Sequence, residues 1–128
     1  MVWKMERKPH PMISLIDDNR LEQWLRQAAY SPGDTFSLTS SATLSYASDQ
    51  GEYGLRLEVS KNQFGEAWIR KVLQLRYLQP AEYHQCIPLV SPTGHWQLWH
   101  PVPQNNSVSQ EDMIHQAASC LIELAGLS

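Results

Sequence analysis

The sequence predicts an α+β domain, an antiparallel sheet with helices packed against it, in the order helix, strands, helix, hairpin, helix. Three observations carry that expectation. The apolar period switches from 3.6 residues to 2 beyond Gly33, a strong turn signal at Ser91-Pro92-Thr93-Gly94 separates two short apolar runs, and an amphipathic segment with capping residues closes the chain.

The first helix opens near Asp17 or Asp18. Leu21, Trp24, Leu25, Ala28 and Ala29 fall on one stripe, and Asn19 with Glu22 has the spacing of a capping box, either aspartate being an alternative cap. Pro32 drives Ser31 out of helical space and Gly33 completes the stop. Phe36 and Leu38, then Ala42, Leu44 and Tyr46, then Tyr53, Leu55, Leu57 and Val59 alternate with polar residues or glycine, as antiparallel strands with one wetter face do. A second helix spans about Phe64 to Leu78, introduced by Ser60 or Asn62, with Trp68, Ile69, Val72 and Leu75 as its apolar stripe, Arg70, Lys71, Gln74 and Arg76 on its wetter side, and Pro80 as its stop. His84 to Val90 pairs with His95 to Val102 as a hairpin, and Pro88 marks the first arm as an edge strand or a bulge. After the linker Gln104-Asn105-Asn106-Ser107, the last helix starts at the N-cap Ser109, faces inward with Met113, Ile114, Ala117, Leu121 and Leu124, and ends at Gly126.

A chain of 128 residues, 42% hydrophobic and 18% charged, makes one packed domain and not a disordered one. Residues 1–16, with Pro9 and Pro11 around His10, read as an irregular leader, and residues 17–128 as the single domain. A formal charge of −3 supplies no basic field for nucleic acid or anionic lipid. The run Met12 to Ile16 is too short for a signal-peptide core, and no stretch is long enough to cross a bilayer. The expectation is a cytoplasmic protein without membrane insertion, with Cys86 and Cys120 reduced.

The chain carries no recognised catalytic motif. There is no GxSxG elbow, HExxH, P-loop or GxGxxG, and Asp17-Asp18 and Glu111-Asp112 sit where helix capping accounts for them. His95 and His100 fall on opposite faces of a strand; His84 and Cys86 share a face, but two ligands do not close a structural zinc site. The expectation is a protein that is not an enzyme and carries neither metal nor cofactor.

The aromatic residues say more. Five tryptophans are present, and the odd spacing of Trp96 and Trp99 puts an indole on each face of the last strand. One face packs on the core; the other needs a helix, a second subunit or a ligand chain. Together with the stripe on the second helix, this is more apolar surface than one small domain hides. A homodimer follows, with Trp68, Val72, Leu75 and Trp99 at its interface.

The tail of the chain, Ile87-Pro88-Leu89-Val90, Ser91-Pro92-Thr93-Gly94, Trp96-Gln97-Leu98-Trp99, Val102-Pro103 and the run Ser109 to Leu124, resembles the paired late strands and closing helix of the small acidic chaperones of bacterial type III secretion. That resemblance, one of pattern over most of the chain, implies a homodimer that holds a secreted effector, or a regulator of the same system, in extended form. An extended segment gains main-chain hydrogen bonds at a free strand edge and seats alternate side chains in apolar grooves. The resemblance further implies that the partner crosses the first helix and the adjoining strand at Leu21, Trp24, Leu25, Phe36 and Leu38. A structural or assembly subunit of a bacterial complex is the second reading, and a small enzyme the third.

Overall fold

The computed structural model describes residues 18–104 and 109–127. The leader, the alternative cap Asp17 and the linker residues Asn105 to Ser107 lie outside the described residues. The elements are α1 (Asp18–Ala28), β1 (Thr35–Thr39), β2 (Ala42–Asp49), β3 (Glu52–Val59), α2 (Glu66–Leu78), α3 (Pro80–Tyr83), β4 (Ile87–Val90), β5 (Trp96–Pro101) and α4 (Gln110–Ala125). The five strands form one sheet in the order β1-β2-β3-β5-β4, each neighbouring pair antiparallel. The α+β class and the helix-strands-helix-strands-helix order are therefore as the sequence predicts.

Strand parity decides where the core lies. Leu44, Tyr46, Leu55, Leu57, Val59 and Leu98 point to one face and are wholly buried beneath the helices. α4 supplies the other half of that core through Ile114, Ala117, Ala118, Leu121, Ile122, Leu124 and Ala125. Its ends are fixed by local chemistry. The Asp112 N–H donates to Ser109 Oγ at 3.3 Å, and Gly126 takes a left-handed conformation (φ 74°). That conformation lets the Leu127 N–H return to the Ile122 carbonyl at 3.0 Å, the six-to-one bond of a Schellman closure. The buried phenol of Tyr46 is also satisfied, donating to the Val102 carbonyl at 3.1 Å and accepting from Gln110 Nε2.

Four details differ from the sequence expectation. α1 begins at Asp18, which places Asn19 inside its first turn and not at its cap. α2 begins at Glu66, and its N-cap is neither Ser60 nor Asn62 but Gly65, which has no side chain to offer. Pro80 does not merely stop α2. It is the first residue of α3, where its fixed φ and missing N–H cost nothing. The first arm of the hairpin consequently starts at Ile87; His84 caps α3 at the surface while Cys86 is buried, so the two do not share a strand face.

Pro88 is accommodated by pairing parity. The Ser91 N–H bonds to the His95 carbonyl at 2.8 Å, and the register Ile87↔Trp99, Leu89↔Gln97 continues that hydrogen-bonded phase. Pro88 and Val90 lie in the alternate phase, so the ring nitrogen of Pro88 faces the free edge, where no ladder bond is lost.

Candidate functional site

The two faces of β5 place its indoles as parity requires. Trp96 lies on the helix side and donates from Nε1 to the Phe64 carbonyl at 2.8 Å. Trp99 lies on the opposite face, paired across the ladders with Ile87 on one side and Arg56 on the other. It is nevertheless only 6% exposed, its ring packed against Gly54 of β3. A Cβ at Gly54 would sit 2.4 Å from Trp99 Cζ2 and 2.8 Å from the His100 carbonyl oxygen, so the strand has room for the indole only where it has no side chain. The Arg56 guanidinium stands 5.4 Å from the Trp99 ring centre, within cation–π range.

Beside Trp99 runs an open groove of about 420 Å³, lined by Ile87, Leu89 and Trp99 on one side and by Asp49, Gln50 and Glu52 of the β2–β3 turn on the other. Apolar side chains thus meet carboxylates at one rim. β4 adds Val90, 59% exposed, at the sheet edge. On the helix side, α2 is tied to the α3–β4 connection by Arg76, which donates from Nε to the Cys86 carbonyl at 2.7 Å and from a terminal nitrogen to the His84 carbonyl at 2.9 Å. Arg76 therefore belongs to the packed side of α2, not to its wetter side. The side of α2 turned to solvent carries Leu73, Tyr77 and Leu78, the last two 83% and 65% exposed. The sequence reading missed these three because the neighbouring Arg70, Lys71 and Gln74 marked that side as polar.

The residues expected to bind a partner are brought together, but at different depths. Leu25 and Leu38 are buried in the core; Leu21, Trp24 and Phe36 are half-buried against it, and the Trp24 and Phe36 rings lie 5.9 Å apart. Only the last three present any surface. Of the residues expected at a dimer interface, Val72 is buried, and Trp68 and Leu75 are half-buried against the core. Trp68 is further engaged within the chain, donating from Nε1 to the Ala125 carbonyl at 2.8 Å and meeting Phe64 edge-on at 5.4 Å. The uncovered apolar surface is displaced from that stripe to Leu73, Tyr77 and Leu78 and to β4.

A second cluster was not legible from spacing. The fold brings the Sγ atoms of Cys86 and Cys120 to 3.4 Å. His100 joins them, so that the ligand atoms of Cys86, His100 and Cys120 all lie within 4.8 Å of one another. Cys120 donates to the Glu82 carbonyl at 3.2 Å, so the proton between the sulfurs comes from Cys86. Burial pushes both thiols up, Cys86 strongly, with its hydrogen bond to Cys120 adding to the effect. Such thiols are poor nucleophiles at neutral pH, since the thiolate is the reactive form.

Comparison with known proteins returns no match among family models, curated proteins or solved structures. No helix among the described residues is long and apolar enough to cross a membrane.

Proposed function

We propose that the protein is a non-catalytic binding module for another protein, chaperone-like in its manner of holding an extended segment. The observation that carries this reading is the set of apolar side chains left uncovered on two elements, the edge strand β4 and the helix α2. Ile87, Leu89 and Val90 on the edge strand and Leu73, Tyr77 and Leu78 on α2 are all exposed, Ile87 and Leu89 on the Trp99 face of the sheet and α2 on the helix side. Neighbouring large apolar side chains left uncovered on one strand, and again on one helix, suit contact with another chain, because leaving each in water forgoes roughly 1.5–3 kcal/mol of burial. The groove beside Trp99 adds the second ingredient, an apolar floor with a carboxylate rim that suits an extended segment carrying a basic residue.

The finer reading is a homodimer that serves an effector or regulator of a type III secretion system. Its support is the resemblance of the hairpin and closing helix, together with the α-βββ-α-ββ-α course of the long elements. In this reading the outer side of α2 with β4 meets the second copy, and Leu21, Trp24 and Phe36 meet the partner. Val72 is a poor probe of assembly because it is buried, whereas Leu89 is exposed and close to the groove.

Affinity capture of the tagged full chain from the cells that make it, followed by mass spectrometry, is expected to return one stoichiometric protein, with Leu89→Asp lowering its recovery at least tenfold. A chain that captures no protein at stoichiometry, and sediments at 14.7 kDa across the micromolar range, overturns the proposal.

A further inference from the structure

We infer that Cys86, Cys120 and His100 form a binding site for one thiophilic divalent cation, Zn²⁺ by preference, which clips the α3–β4 connection, β5 and α4 together. The three residues come from the α3–β4 connection, β5 and α4, and their donor atoms lie within 4.8 Å of one another. A Cys₂His set is one of the recurring zinc donor sets. Tetrahedral zinc with Zn–S bonds of about 2.3 Å holds its two sulfurs about 3.8 Å apart. The present 3.4 Å separation needs only a small opening.

The surroundings fit the assignment. His100 Nδ1 lies 2.8 Å from the Pro101 carbonyl oxygen, a partner to which it can only donate, which leaves the lone pair on Nε2. A carbonyl on the second nitrogen is the usual device for fixing a ligand imidazole in its tautomer. His100 and Cys120 also line a cleft of about 430 Å³, shared with Gln85, Met113 and Gln116. Through that cleft the cation enters and a water completes its fourth position.

Charge selects the ion. Two thiols release two protons as they bind, so two thiolates and a neutral imidazole around a divalent cation leave no net charge in this half-buried place, whereas a monovalent ion would leave one negative charge. Magnesium and calcium are excluded by the sulfur donors. In the metal-free state the same thiols are protonated and bonded in a chain, Cys86 to Cys120 to the Glu82 carbonyl.

The test is a Co²⁺ titration of the full chain, with both thiols first shown to be reduced, followed by displacement with Zn²⁺. The expected result is one Co²⁺ per chain, the thiolate-to-cobalt charge-transfer band with intense tetrahedral d–d absorption, and loss of both bands on adding one equivalent of Zn²⁺. Cys120→Ser and His100→Gln, both at half-buried positions, should stay folded by circular dichroism. They should weaken Zn²⁺ binding by more than about 100-fold, beyond what outer-shell changes cost. Zn²⁺ should also raise the melting temperature of the parent chain but not of the variants. The inference is overturned if the reduced parent shows no cobalt–thiolate band at one equivalent. It is equally overturned if either folded variant binds Zn²⁺ as tightly as the parent does.

Discussion

α2 and α4 are both long amphipathic helices on the same side of the sheet, yet they do different work. α4 buries seven side chains, has a serine at its N-cap and closes on a left-handed glycine. α2 buries only Val72 outright, starts from a glycine that cannot cap, and leaves Leu73, Tyr77 and Leu78 in water. One helix commits its apolar residues to this chain's core. The other keeps three of them on its outer side, where only a contact beyond the described fold can cover them. The difference separates a helix that gives most of its apolar residues to the core from one that leaves part of them exposed.

The largest expected effect lies on α4. Leu121 is fully buried among strand and helix side chains, so Leu121→Ala removes transfer energy and leaves a cavity, costing about 2–5 kcal/mol of folding free energy in a denaturant melt. A loss under about 1 kcal/mol would mean that the core does not depend on α4. The caps come next. Ser109→Ala leaves the Asp112 N–H unpartnered and is expected to cost about 1 kcal/mol. The opposite change on α2 should gain a little. Gly65 sits at an extended cap geometry, and a Cβ added there would meet nothing within 4 Å, so Gly65→Asp is expected to stabilise by a few tenths of a kcal/mol. Destabilisation there would show that the Gly65 backbone is held by something a side chain disturbs.

The two helices also differ in how far they could be read from sequence. α4 was legible at both ends, where its cap and its glycine stop follow local rules, and along most of its stripe, though Ala118, Ile122 and Ala125 are also buried and Met113 only half so. The alternating strands were legible for the same reason, and so were the opposite faces of Trp96 and Trp99. α2 was legible only on its inner side. Its outer apolar residues are scattered among charged ones, and periodicity alone does not distinguish an uncovered leucine from an ordinary surface one. α3 was lost because Pro80 ends one helix and begins another, and a proline gives the same signal for both. The thiol pair was beyond reach altogether. Thirty-four positions separate Cys86 from Cys120, and only the packing of α3 and α4 brings their sulfurs together. The expected partner residues show the same limit. An apolar stripe locates a packed face, but the depth of each side chain, buried for Leu25 and half-exposed for Trp24, depends on what the fold stacks above it.

The smallest effect on stability is the most informative for the comparison. Tyr77 is 83% exposed on the outer side of α2, and its phenol reaches no partner among the described residues. Tyr77→Asp should therefore change the folding free energy of the isolated chain by no more than about 0.5 kcal/mol, the ordinary range for an exposed position. If the outer side of α2 is a contact surface, the same substitution should act on association instead. An aspartate in an apolar interface must be desolvated without a partner, which costs several kcal/mol and shifts association toward the separate chains. Equilibrium sedimentation of the parent and variant across the same concentration range, beside their denaturant melts, reads the two effects separately. An unchanged melt with a lowered average mass, or with weakened capture of a partner, places the surface on α2. A melt displaced by several kcal/mol would instead make α2 a second stability helix and remove the distinction between it and α4.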